Sequence, residues 1–232
     1  MKNHSDSGGK SLLITIDGPA GAGKTTVSRM LSDRLGYKYI DTGALYRGVA
    51  WEANKAGISH DDDAGLEMLC GSLSLEFVRG INGLRLFSNG SDINGEIRTP
   101  EMSMLASAVS ARPVVRKYLL TLQRELGKGR RAVFEGRDMG TVVFPGADIK
   151  FYLNASVKTR AIRRYKELSD KKDSSTIEEI ERDIRRRDEN DSTRTLAPLK
   201  PAEGAIKIDS TDLDVESVVN LMISHVQKHL MH

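Results

Sequence analysis

GPAGAGKTT, residues Gly18, Pro19, Ala20, Gly21, Ala22, Gly23, Lys24, Thr25 and Thr26, fits the pattern G-x-x-x-x-G-K-[ST]. Glycines let a backbone wrap closely around an anion. Successive N–H groups, and the helix start behind them, then point at phosphates. Lys24 is placed to reach β and γ phosphates, and Thr25 to offer a hydroxyl to Mg2+. The context supports this reading. The apolar, β-branched run SLLITID before the loop predicts a buried strand ending at Asp17. After the loop, Val27, Met30, Leu31 and Leu35 fall at helical spacing, and Gly36 is a helix stop. A Gly-rich turn with an incidental lysine would not explain that placement. Strand, phosphate loop and helix leave three classes open: kinase, GTPase switch and motor-type ATPase. A GTPase usually carries a later N-K-x-D segment, which this sequence lacks. A motor ATPase usually needs a larger assembly and further motifs.

Composition narrows the setting. At 232 residues the chain is long enough for one large domain with inserts. It has 35 basic and 32 acidic residues, a near balance that does not demand nucleic acid. Aromatics are 5%, too few for a base-stacking platform. Cys70 is the sole cysteine, which excludes an intramolecular disulfide and fits a reducing compartment; it reads as a small buried apolar residue. The polar start MKNHSDSGGKS lacks a signal-peptide core, so residues 1–11 read as a loose tail. No apolar run approaches the roughly 18–20 residues that span a bilayer. A cytoplasmic monomer is expected, without membrane or nucleic-acid partners.

Outward from the loop, YKYID predicts a second strand and TGALYRGVAWEANKAG a helix. From about Asp61 the texture changes. SLSLEFV, LRLFS and SDIN read as short strands separated by Asn-Gly, the strongest short hairpin signal, so residues near 72–94 predict a small antiparallel unit. TPEMSMLASAVSA follows as a helix with Thr99 as N-cap and Pro100 in the first turn, and PVVRKYLLTLQREL as another. RAVFEGRD, DIKFYLNAS and AIKIDST are three further strands, with helices over 156–169, about 176–191 and 214–230. Alternation of this kind predicts an α/β fold: a central parallel five-stranded sheet flanked by helices. The expected division is a core of 12–65 and 116–232, an insert of 66–115, and a helical lid of 156–194 within the core.

Arginine placement is more informative than net charge. TRAIRRYKEL puts Arg160, Arg163 and Arg164 on one helix face; IERDIRRRDENDSTR repeats the device with Arg182, Arg185 and Arg186. Arg187, Asp191 and Arg194 follow at i, i+4, i+7. One reading is a solvated helical pair laced with ion pairs. The other is a lid, hinged at SDKKDSST, that closes over ATP, stabilises charge and excludes water. Excluding water matters only when the acceptor is something else. Thr42 and Arg47 lie just after the second strand, and Glu135, Arg137 and Asp138 after the third, at the sheet edge where open α/β sheets bind ligands. Two arginines there suit a second anion, the acceptor's own phosphate; the alternative for Arg137 and Asp138 is a local ion pair. Glu135 suits a water-mediated contact to Mg2+. The five histidines are scattered and read as exposed, with none placed as a base. A phosphate acceptor is already anionic and scarcely needs one.

ITIDGPAGAGKTT, DTGALYR, GRDMGTVVFP, DIKFYLNAS, RAIRR, RRRDENDSTRTLAPL and IDST together resemble the bacterial-type cytidylate kinase family, from about Leu12 to Val219. The resemblance implies transfer of the γ-phosphoryl group of ATP to CMP or dCMP with Mg2+, and makes the insert a monophosphate-binding domain. It implies that Gly18–Thr26 hold ATP and that Arg47 and Arg137 hold the acceptor phosphate, with Lys24 bridging. Ser107, Arg116 and Asp138 would contact cytosine, and Thr42 would line the same site. Arg187, Asp191 and Arg194 would reach sugar and phosphates, and Arg160 and Arg164 would be the lid arginines. Thr25 and Glu135 would serve the metal. Two departures stand out. Glu135 occupies a position where the family commonly has Asp, carrying the carboxylate roughly 1.5 Å further along its stem. Asn190 stands where some relatives have a basic residue. A nucleotide-binding switch or a nucleic-acid binder would leave the second phosphate cradle unexplained.

Overall fold

β1 (Leu13–Asp17) is buried at every residue, as a central parallel strand covered on both faces requires. The computed structural model describes residues 11–80, 83–169 and 175–231. From β1 the phosphate loop leads into α1 (Lys24–Leu35), which stops at Gly36 with φ 64°. β2 (Lys38–Asp41) runs directly into α2 (Thr42–Lys55), because Asp41 caps it by accepting from Ala44 N at 3.0 Å. α3 (Asp63–Ser72) has no counterpart in the sequence expectation. Its fully buried positions are only Leu66 and Cys70, an i, i+4 pair too sparse to read as a periodic stripe.

The antiparallel unit is present: β3 (Leu75–Gly80), β4 (Gly83–Ser88) and β5 (Ser91–Asp92) pair in that order. Between β4 and β5, Asn89 and Gly90 both have positive φ, 47° and 80°, the signs a type I′ turn demands. The other expected hairpin turn, around 81–82, lies outside the described residues. So do residues 1–10 of the expected tail and 170–174 of the expected hinge. A 3-10 turn, Glu96–Arg98, precedes α4 (Pro100–Val109), which Thr99 caps through Met102 N at 3.1 Å with Pro100 in its first turn. α5 (Pro113–Gly127) returns the chain to the main sheet. The expected insert borders, 66 and 116, fall inside α3 and α5.

β6 (Ala132–Gly136) ends in a π turn, Met139–Val143, that no sequence period announced. Then come β7 (Ile149–Asn154), α6 (Val157–Ser169), α7 (Ile177–Thr193), β8 (Ile206–Asp209) and α8 (Val215–Met231). Thr176 and Glu179 form a reciprocal capping box at the start of α7. The main sheet has the order β2-β6-β1-β7-β8, all parallel. Its register sets Asp17 level with Gly136 and Tyr152, and Asp41 level with Glu135, so the functional strand ends share one edge. α1 and α8 cover one face; α5 and the π turn cover the other. The α6–α7 pair buries only Ala161, Leu168, Ile180 and Ile184 among themselves. At roughly 2 kcal/mol for each large side chain, that is a far smaller apolar store than the sheet holds.

Candidate active site at the carboxyl ends of the strands

The phosphate loop is built by backbone. Gly18 has φ 151°, and a Cβ there would lie 1.9 Å from the carbonyl oxygen of Leu153 on β7. Gly21 and Gly23 have φ 74° and 85°, so three glycines take conformations that side chains oppose. Arg160 is buried under the loop. It donates to Ala20 O at 3.0 Å and Ala155 O at 2.9 Å, and pairs with Asp188 at 2.7 Å. Arg163 donates to Ser210, whose carbonyl accepts at 2.6 Å, and Arg164 pairs with Glu167 at 3.0 Å beside the cleft. The three arginines of α6 therefore do three different things rather than form one lid face. Arg185 and Arg186 make exposed pairs with Glu181 and Asp183, the solvated-face alternative.

Lys24 is buried, and its Nζ donates to Pro19 O at 2.7 Å. Burial, followed by the nearby Arg137 guanidinium, pushes its pKa well below the ordinary lysine value. An incoming anion would favour the charged ammonium against both. Thr25 Oγ1 donates to Glu135 Oε1 at 2.8 Å, while the buried Glu135 Oε2 has no hydrogen-bond partner. Burial, then Asp41, raises the Glu135 pKa. A hydroxyl and a carboxylate with a free oxygen are donors of the kind a hard divalent cation takes. Among the described residues no group of three or more His, Cys, Asp or Glu is arranged to hold a metal. A cation here would complete its shell with phosphate and water oxygens.

The facing wall is built by side chains from several elements. Arg47 of α2 pairs with Asp41 at 2.8 Å, and Arg98 approaches the same carboxylate at 3.6 Å. Burial raises the Asp41 pKa, but Arg47 and Arg98 outweigh it and hold it below the usual range. Thr42 Oγ1 donates to Glu135 O at 2.6 Å, tying α2 to β6. Arg137 Nε donates to Asp191 Oδ2 at 2.9 Å, and Asp138 pairs with Arg116. Arg137 and Asp138 thus find partners on other elements, not each other. Ser107 Oγ donates to Asp191 Oδ1 at 3.4 Å. Arg194 donates to Ser110 Oγ at 3.1 Å and lies 3.9 Å from both Asp138 and Asp191. Burial, then Arg137, depresses Arg187 to about 10, which still leaves it charged at neutral pH. Arg47 Nε, Arg187 Nε and Arg194 Nη2 are buried without hydrogen-bond partners, although Arg194 Nη2 lies 3.9 Å from Asp138. Unspent donors on three arginines suit an anionic ligand.

Loop and wall enclose a cleft of about 480 Å3. Thr42, Arg47, Ser107, Arg116, Arg137, Asp138, Arg187, Asp191 and Arg194 all line it, with Lys24, Thr25, Glu135 and Arg164. Arg160 does not. None of His60, His225 and His229 lines it; His225 is half-buried against Phe151 instead of exposed. Sequence reading missed Asp41, Arg98 and Ser110. Asp41 directly precedes Thr42, and Ser110 lies between Ser107 and Arg116, so their places could have been inferred; Arg98 carries no motif and is recruited by packing alone.

A family model described as cytidylate kinase matches residues 14–228. A cytidylate kinase of Geobacter sulfurreducens is 50% identical over 224 residues, covering 97% of this chain and 96% of its own. One from Pasteurella multocida is 42% identical over 219 residues, covering 94% of this chain and 96% of its own. Among solved structures, an uncharacterized protein from Eubacterium ventriosum superimposes with TM-score 0.53 at 12% identity, over 94% of this chain and 99% of that one, a likeness of fold only. A match that runs through the loop, the insert and the arginine wall alike places this chain in the cytidylate kinase family.

Proposed function

We propose that the chain transfers the γ-phosphoryl group of ATP to CMP or dCMP, giving ADP and CDP or dCDP. The observation that carries this reading is one cleft with a phosphate loop at one end, an arginine wall at the other and Lys24 between them. Gly18–Thr26 hold the ATP phosphates. Arg47 and Arg137 grip the acceptor phosphate, whose oxygen attacks the γ-phosphorus in line as the bond to the β-phosphate oxygen breaks. Lys24 spans donor and acceptor and stabilises charge on the transferred group, so the chemistry is positioning and electrostatics rather than base catalysis. Mg2+ would be held by Thr25 and, through water, by Glu135, and it would neutralise phosphate charge. The unpartnered Glu135 Oε2 fits that role.

Ser107, Arg116 and Asp138 read the base. Cytosine offers an exocyclic amino donor beside N3 and O2 acceptors, which suit a carboxylate and a guanidinium respectively. Uracil reverses part of that edge and leaves buried groups unpaired. Arg187, Asp191 and Arg194 reach sugar and phosphates. Residues 66–115 act as the monophosphate-binding insert and 156–194 as the lid, with Arg164 facing ATP and Arg160 bracing the loop. The near-neutral charge and single cysteine support a cytoplasmic protein that binds no nucleic acid. The test is an ADP-release assay with ATP–Mg2+ and CMP, dCMP, UMP, AMP, GMP or no acceptor. Fast turnover with CMP and dCMP is expected. Turnover only without acceptor would make the chain an ATPase.

A further inference from the structure

We propose that Asp17 is a positioning residue for the acceptor: it caps the turn after β6 from a neighbouring strand and thereby leaves Asp138 free to face the base. This rests on the base-reading role given to Asp138 above.

Asp17 is the last residue of β1 and is buried. Its two oxygens are both used: Oδ1 accepts from Met139 N at 2.8 Å and Oδ2 from Gly140 N at 2.7 Å. Those are the first two N–H groups of the π turn Met139–Val143. Such groups lack partners within a helical turn, and the second of them, Gly140 N, is one that the side chain at the N-cap position ordinarily satisfies. That position is occupied by Asp138, a residue type well suited to capping, yet its side chain makes no cap hydrogen bond. It pairs with Arg116 and approaches Arg194 in the cleft instead. The carboxylate from β1 does the capping that Asp138 would otherwise do. The turn packs closely here: a Cβ on Gly140 would meet Ala202 Cβ and Thr15 Oγ1 at 3.1 Å. A buried carboxylate is a costly cap, and burial raises its pKa to about 6. The same strand continues into Gly18, so one residue registers the donor loop against the acceptor wall.

Asp17→Asn keeps the shape but gives one acceptor and one donor, so one N–H loses its partner and Asp138 is drawn back to cap it. Initial rates would be measured with CMP and UMP at varied ATP. The expected result is about a tenfold rise in KM for CMP and about a tenfold fall in the CMP-to-UMP ratio of kcat/KM. KM for ATP and kcat should stay within about threefold. In the double variant with Asp138→Asn, discrimination should be no worse than in Asp138→Asn alone. An unchanged CMP-to-UMP ratio, multiplied losses in the double variant, or a matching rise in KM for ATP would overturn the proposal and leave Asp17 a structural cap. Should Asp17→Asn not fold, Asp17→Ser carries the same test. If the wild-type chain itself shows no preference for CMP, the base-reading assignment fails first and this inference falls with it.

Discussion

The two ends of the cleft are made in opposite ways. The end proposed to hold ATP comes from nine consecutive residues, and what it offers a ligand is mostly main-chain N–H groups, in a loop with three glycines of positive φ. The end proposed for the acceptor comes from α2, α4, α5, the turn after β6 and the end of α7, and what it offers a ligand is guanidinium and carboxylate groups. A backbone cradle has its geometry set once the chain folds, but it tolerates almost no change of residue. A side-chain wall can be altered residue by residue, but every buried arginine in it needs a carboxylate nearby. Asp41, Asp138 and Asp191 supply those partners, so an arriving phosphate exchanges one anion for another instead of entering an uncompensated field.

That contrast can be broken most forcefully at the wall. Arg137→Ala would remove the contact proposed for the acceptor phosphate, and it leaves Asp191 short of its 2.9 Å partner. It should cost roughly 3–5 kcal/mol in kcat/KM for CMP while the fold persists. Steady-state kinetics beside a thermal melt checks both halves, and a near-wild-type rate would remove Arg137 from the site. Gly18→Ala attacks the cradle and should behave in the reverse sense. Its Cβ would fall 1.9 Å from Leu153 O, so β1 and β7 must part. A loss of about 3 kcal/mol in urea unfolding is expected; an undiminished midpoint would show that the loop adapts.

The pH profile sharpens the comparison further. Burial raises Asp17 to about 6, and the charged groups facing it are Asp138, which also raises it, and Lys24, which lowers it. The folded protein therefore takes up this proton more readily than the unfolded chain, whose Asp titrates near 3.8. On this group's account stability rises as pH falls from about 6 towards 4. Its bonds to Met139 and Gly140 need the carboxylate, so acceptor binding moves the other way. Expected is a loss of about tenfold in kcat/KM for CMP between pH 7 and 5, reduced in Asp17→Asn. The variant is the necessary reference because a nucleotide phosphate itself titrates near 6. Identical profiles would assign the whole loss to the phosphate.

The mildest change is Ser110→Ala. Ser110 Oγ accepts from Arg194 at 3.1 Å and donates to Ser107 O at 2.7 Å, while its carbonyl accepts from Arg116 at 3.1 Å. Two side-chain bonds are lost, one of them from the Arg194 guanidinium, but the carbonyl contact with Arg116 stays, so KM for CMP should rise about threefold, at the low end of what a hydrogen bond contributes. A change in KM for ATP instead would place Ser110 outside the acceptor wall.

Legibility followed the same division. The loop, the strand before it and the helix after it could be read directly, because G-x-x-x-x-G-K-[ST] and the apolar spacings are local properties of the chain. The Asn89-Gly90 turn and the Thr99 cap were equally local. The arginines of α6 were placed on a common face by helical spacing, but spacing says nothing of what each faces. Arg160 meets the loop carbonyl of Ala20, Arg163 meets Ser210, and only Arg164 lines the cleft. α3 escaped notice because two buried residues make no stripe, and the π turn because it follows no regular period.

The sequence by itself determined that a polyphosphate loop sits between a buried strand and a helix, that the sheet is parallel, and that its carboxyl edge carries Arg47, Arg137 and Asp138. These follow from φ preferences, apolar periodicity and chain order, all set within a few residues. Only the tertiary structure decided which carboxylate answers which arginine: Asp191 for Arg137, Asp138 for Arg116, Asp41 for Arg47. It also assigned the cap of the turn after β6 to Asp17, 122 residues away in sequence. Such pairings depend on strand order and helix packing, because a buried charge takes whichever partner the fold brings within reach, and chain distance has no part in that choice.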